Sequence, residues 1–206
     1  MAAASPISKA RLEALSDGVY AVVLTLLVLE LRLPPLPASS GSALDAALLA
    51  LLPKALVWML SFWVAALFWL AQGRVLRQSG EPDRIALLIE LGHLALVTLL
   101  PFSSAVIGEH GDQVGAALLY SLHLALLAAL SQLRVTRLLR HPELHAEAFD
   151  TPGIRVQARR GWIVLVCALA AVALAFVIPG WNMLAMLGAL LHPPRPRGSS
   201  TASHRH

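Results

Sequence analysis

Between Asp17 and Glu30 the chain carries twelve consecutive uncharged residues, Gly18-Val19-Tyr20-Ala21-Val22-Val23-Leu24-Thr25-Leu26-Leu27-Val28-Leu29. As a helix this run is too short to cross a bilayer, which takes roughly 20 residues. It becomes long enough only by reaching back through Leu15, Ser16 and Asp17 and forward to Leu33. That extension carries a serine and a carboxylate to membrane depth near one interface. A carboxylate there is costly without a partner, so such residues are functional-site candidates. Thr25 then falls near mid-membrane among branched aliphatic side chains.

The rest of the chain repeats the theme. Hydrophobic residues make up 57% of it, mean hydropathy is +0.70 and only 14% of residues are charged, where a soluble domain carries roughly a quarter. This is the composition of an integral membrane protein. After a Pro/Ser/Gly loop from Leu33 to Ser42, a second apolar segment runs from about Ala43 to Val75, with Pro53 as a kink or a separate entry turn. A third runs from Arg84 to Ile107 and a fourth from Gln113 to Leu139. Arg140 to Val156 reads as a polar loop with room for a short interfacial helix. The fifth segment is Gly161 to Ile178, and Pro179-Gly180 separates it from a short sixth, Trp181 to Leu191. Residues 1–10 form a cytoplasmic lead, 11–191 one six-helix transmembrane domain, and 192–206 a disordered cytoplasmic tail. No short apolar region with a small-residue cleavage site precedes the first segment, so no cleavable signal is expected.

The basic residues orient the bundle. If six segments alternate, fourteen of the 16 Lys and Arg residues lie on one side; only Arg32 and Lys54 lie on the other. The positive-inside rule then makes both termini cytoplasmic, in a multi-pass protein of the cell membrane. The same bias favours segment six as a full crossing, against the alternative of a re-entrant hairpin. The net charge of +4 is spread over short loops, so no nucleic-acid partner is expected. A single cysteine, Cys167, excludes an intrachain disulfide and reads as a small lipid- or core-facing residue.

Arg11, Ser16-Asp17, Gly18-Val19, Ala21, Thr25 and Leu29-Glu30 match, residue by residue, the signature R-x-x-x-F-S-D, G-V-x-A and a threonine-bearing aliphatic stretch ending in L-E. This resembles the first helix of the lysosomal potassium channel family (transmembrane protein 175) and its bacterial relatives. Leu15 stands where the family has phenylalanine. Ser61-Phe62 and Phe68-Trp69 resemble the family's second helix, S-F … F-W-x-x-H, with Gln72 in place of the histidine. Leu100-Pro101-Phe102-Ser103 resembles its third. The resemblance implies a homotetramer whose first helices surround a pore passing potassium ions. Carried over by distance from Ser16-Asp17, the pore positions are Val22, Thr25 and Leu29, with Leu26 as a neighbour. It also implies that Arg11, Ser16 and Asp17 join polar groups of the second and third helices, Trp69 and Gln72 being the candidates, in a network that fixes the pore helix.

The residues themselves leave other readings open. Val22, Thr25 and Leu29 share one helical face, which also describes an ordinary packing stripe. Arg11 fits a positive-inside anchor, Ser16-Asp17 a helix cap, and Trp69 an interfacial belt. Glu90 and His93 have the Glu-x-x-His spacing of di-iron bundles, but no second such pair occurs on a spanning segment. They are expected instead to satisfy each other or His123. No phosphate loop, nucleophile triad or dinucleotide fingerprint occurs, so neither enzymatic activity nor a cofactor is expected. The reading is an all-α, six-helix channel. Its rivals are a small secondary carrier, which would show broken helices in two matching halves, and a non-conducting scaffold.

Overall fold

The computed structural model describes residues 7–33 and 41–180, and every regular element among them is helical. The helices are α1 (Lys9–Leu26, continued by a 3-10 turn Leu27–Glu30), α2 (Gly41–Gln78), α3 (Arg84–Thr98), α4 (Leu100–His110), α5 (Val114–Arg140) and α6 (Thr151–Leu174). Among the described residues five stretches are long and apolar enough to cross a membrane: α1 with its 3-10 turn, α2, α3 with α4, α5 and α6. The predicted sixth segment, the tail and most of the loop after segment one lie outside the described residues.

Several boundaries differ from those expected. The α-helical part of segment one stops at Leu26 rather than reaching Leu33. α2 passes through Pro53 as one 38-residue helix, with no separate entry turn. The third segment is divided at Leu99, because Pro101 offers no N–H and its ring crowds the carbonyl one turn back. α6 begins ten residues before the expected Gly161. Asp150 caps its first turn by accepting a bond from the Gly153 N–H at 3.1 Å, and Pro152 suits a first-turn position. Arg155, Arg159 and Arg160 therefore lie on a helix rather than in a loop. The interfacial element in the remaining connection shrinks to the 3-10 turn Pro142–Leu144.

Among the described residues the larger of two apolar cores joins the helices. Tyr20 and Val23 of α1 meet Val64 and Phe68 of α2, Leu94 and Val97 of α3, and a small-residue seam on α5 that includes Ala117, Ala125 and Ala128. Small side chains let helix backbones approach closely, as lipid-embedded bundles require. At the α5–α6 contact Gly161 lies against Gln132: a Cβ there would stand 2.1 Å from Gln132 Oε1, so the glutamine side chain would have to move aside.

The arginine-rich end of the bundle is tied together. Lys9 Nζ donates to the Ser79 carbonyl at 2.7 Å, and the Lys9 N–H donates to Glu81 at 3.0 Å. Gly80 and Ala146 link the α2–α3 turn to the α5–α6 connection through backbone bonds. Arg137 grips Asp83 with both terminal guanidinium nitrogens, Nη1 and Nη2, at 2.8 and 2.6 Å. These hydrogen bonds from Arg137 hold the Asp83 carboxyl below its ordinary range.

Candidate functional site

α1 has two unlike faces. Leu12, Ser16, Tyr20, Val23 and Leu27 recur every three or four residues and are each at most 2% exposed. On the opposite face Leu15, Val22, Leu26 and Leu29 are 41 to 56% exposed, and Thr25 is exposed beside them. Among the described residues nothing covers that face. The 3-10 turn stacks Leu29 over Leu26, since residues three apart eclipse in that helix. Thr25 donates its hydroxyl hydrogen to the Val22 carbonyl at 2.7 Å. Its oxygen therefore presents lone pairs outward, an acceptor among aliphatic side chains.

The buried face of α1 is pinned by a polar chain. Gln72 Nε2 donates to both Ser16 Oγ and Glu90 Oε1, and Arg134 Nη1 donates to Glu90 Oε2 at 2.5 Å. Glu90, acting here as acceptor only, dictates the orientation of the Gln72 amide. All four residues are buried, from Gln72 at 1% exposed to Arg134 at 7%. Each lies six or seven residues from the arginine-rich end of its helix, or about 9–10 Å at 1.5 Å per residue. Four helices thus bring their polar groups to one level.

Asp17 lies beside this chain, not in it: its Oδ1 accepts from Trp69 Nε1 at 2.8 Å on the exposed side. Arg11 is exposed, and its side chain reaches neither Ser16 nor Asp17 among the described residues. The structure thus joins Ser16 to Gln72 and Asp17 to Trp69, and leaves Arg11 outside both pairs.

The expected pairing of Glu90 with His93 or His123 is corrected. Glu90 is taken by Gln72 and Arg134, and His93 Nε2 meets Tyr20 Oη at 2.9 Å instead. His123 Nδ1 meets Ser103 Oγ at 2.7 Å and its Nε2 meets the Leu96 carbonyl at 2.8 Å. Arg134 is the member of this chain that the sequence does not single out. The signal was its distance from the end of its helix, which equals that of Glu90 from the start of α3.

A bundle of long apolar helices, holding its ionisable groups in internal pairs, defines a multi-pass integral membrane protein. Residues 11–101 match the family described as endosomal/lysosomal potassium channel TMEM175. A potassium channel of Streptomyces collinus is 30% identical over 171 residues, 81% of this chain and 82% of the relative. A potassium channel of Chamaesiphon minutus is 34% identical over 100 residues, about half of each chain. The human endosomal/lysosomal proton channel TMEM175 is 38% identical over 105 residues, 48% of this chain and 21% of that protein. The crystal structure of a lysosomal potassium-selective channel TMEM175 homolog from Chamaesiphon minutus superposes with a TM-score of 0.75 at 26% identity, covering 88% of this chain and 96% of that one. The chain belongs to the TMEM175 family, a family of ion channels.

Proposed function

We propose that four copies of the chain assemble around α1 and conduct potassium passively across the cell membrane, with both termini cytoplasmic. The observation that carries this reading is the uncovered face of α1. Val22, Thr25, Leu26 and Leu29 are exposed in the protomer while the opposite face is sealed into the core. A face that only met lipid would not need a buried polar chain from three other helices to hold its rotation.

In the proposed tetramer these residues form the narrow part of the pore. Backbone carbonyls along a helix are already hydrogen-bonded and cannot replace an ion's water. An apolar ring therefore discriminates by width and by the ease with which an ion sheds its shell. Potassium dehydrates more readily than sodium and is favoured. The Thr25 lone pairs supply the polar relief between Val22 and Leu29, and an apolar ring can also close by dewetting.

Recordings from the purified protein in planar bilayers test the reading. Discrete unitary currents with a reversal potential favouring potassium over sodium are expected. Val22→Ala or Leu29→Ala should raise the current and reduce the preference. Absence of unitary currents, or a proton-only current, would overturn it. Unchanged current and reversal potential in Val22→Ala, Thr25→Ala and Leu29→Ala together would remove α1 from the ion path.

A further inference from the structure

The hydrogen-bond ladder of α1 ends at Leu29, and a side chain closes it. The Leu31 N–H donates to the Val28 carbonyl and the Arg32 N–H to the Glu30 carbonyl, both at 3.1 Å. The Leu29 carbonyl between them accepts instead from Arg32 Nε, at 2.9 Å. Carbonyls at a helix end are the ones without an intrahelical donor. Left open, this one would offer an oxygen to cations beside the proposed Leu29 ring. The guanidinium occupies it and brings a positive charge to the same place.

Arg32 lies three residues past Leu29, and its side chain folds back onto the end of the turn that carries Leu29. Both residues are exposed. Glu30 is placed differently. It follows the fully buried Leu27 by three residues and is itself half-buried, so it continues the sealed face of α1. All 12 Asp and Glu residues of the chain are among those described, and none pairs with Arg32. Lys54, the other basic residue expected at this end, stands 3.4 Å from Glu109. Arg32 is therefore the cation at this end that no carboxylate offsets.

We infer that Arg32 sets how fast cations enter the pore from the end away from the arginine-rich loops, one guanidinium per protomer standing as a fixed positive ring beside Leu29. The inference rests on the proposed reading of α1 as the pore lining. Such a charge repels potassium and sodium alike, so it governs throughput and leaves the choice between them to the apolar ring. Four unit charges, each roughly 10 Å from an ion on the axis, lower its occupancy on the order of tenfold in unscreened water. In about 1 M salt, where the Debye length is about 3 Å, nearly all of that effect disappears.

The test compares unitary conductance of the wild type, Arg32→Gln and Arg32→Lys in planar bilayers, in potassium chloride at about 50 mM and about 1 M. The glutamine amide nitrogen stands as many bonds from the backbone as Nε does. It keeps a donor for the Leu29 carbonyl and removes the charge. Arg32→Gln should raise conductance about three- to fivefold in the dilute salt and leave it nearly unchanged in the concentrated one. Its reversal potential under a potassium-to-sodium gradient should match that of the wild type. Arg32→Lys should conduct like the wild type in both salts, since a cation remains. Wild-type conductance of Arg32→Gln in dilute salt would overturn the inference. So would loss of its current, or a rise of equal size in both salts, which marks a helix cap rather than a charge. Leu29→Ala separates this inference from the reading beneath it. If that variant changes the current while Arg32→Gln does not, only the role of Arg32 is wrong; if neither changes it, α1 is not in the ion path and both readings fall.

Discussion

Replacing Arg134 by methionine probes the polar chain at its most consequential link. The guanidinium stands 2.5 Å from Glu90 Oε2, with side chains 6% and 3% exposed. Two unit charges about 4 Å apart attract by roughly 4 kcal/mol at an effective dielectric of 20. Removing one partner of a buried pair costs about 3–5 kcal/mol, because the remaining charge is stranded. For a chain of this size each kcal/mol moves the melting midpoint by roughly 2–4 °C, so Arg134→Met should lower it by about 6–20 °C. In the double variant Glu90→Met/Arg134→Met no charge is stranded. It should recover all but about 1 kcal/mol, the bond that Gln72 loses. Tryptophan fluorescence during heating in detergent measures all four corners of the cycle. If the double variant is as unstable as the sum of the singles, the two residues are not coupled and the chain from α5 to α1 is wrong.

Further outcomes follow from the same geometry. Gln72→Leu, which removes the donor to both Ser16 and Glu90, should destabilise the protein more than Trp69→Phe, which removes one exposed bond to Asp17; the same thermal assay ranks them. Asp83 has a folded pKa below its unfolded one, so its stabilisation is complete above the unfolded value, about 3.9, and is lost as pH falls through the folded value. Asp83→Asn should therefore flatten the stability profile of detergent-solubilised protein below about pH 4. In a Cys167→Ala background, an impermeant thiol reagent applied to intact cells should label Asp112→Cys and spare Glu81→Cys; the reverse pattern would invert the proposed orientation.

The sequence showed some of this arrangement readily and hid the rest, for physical reasons. The apolar run of α1 and its Ser16-Asp17 pair are local features, visible because membrane depth makes them expensive. The spanning stretches were legible from hydropathy, since the bilayer imposes one length on all of them. Arg134 was hidden because an arginine near a helix end usually reaches the interface along its own stem. What draws it inward is Glu90, 44 residues away, and no local pattern encodes that pairing. The early start of α6 was hidden likewise: Arg155, Arg159 and Arg160 look like loop residues, while the Asp150 cap and the bond from Gln157 to the Ala71 carbonyl at 2.7 Å keep the chain helical.

The break between α3 and α4 restricts what can replace His123. Pro101 interrupts the hydrogen-bond ladder, and the Leu96 carbonyl accepts from His123 Nε2 at 2.8 Å in the interior of the bundle. A carbonyl can only accept, so Nε2 carries the hydrogen. The position therefore demands a side-chain N–H at a fixed reach, whatever its charge. Glutamine can supply one, while leucine or phenylalanine of similar bulk would leave a polar group facing hydrocarbon. The Leu96 carbonyl thus takes two donors, the Leu99 N–H at 3.0 Å and His123 Nε2, and the second ties α5 to the end of α3.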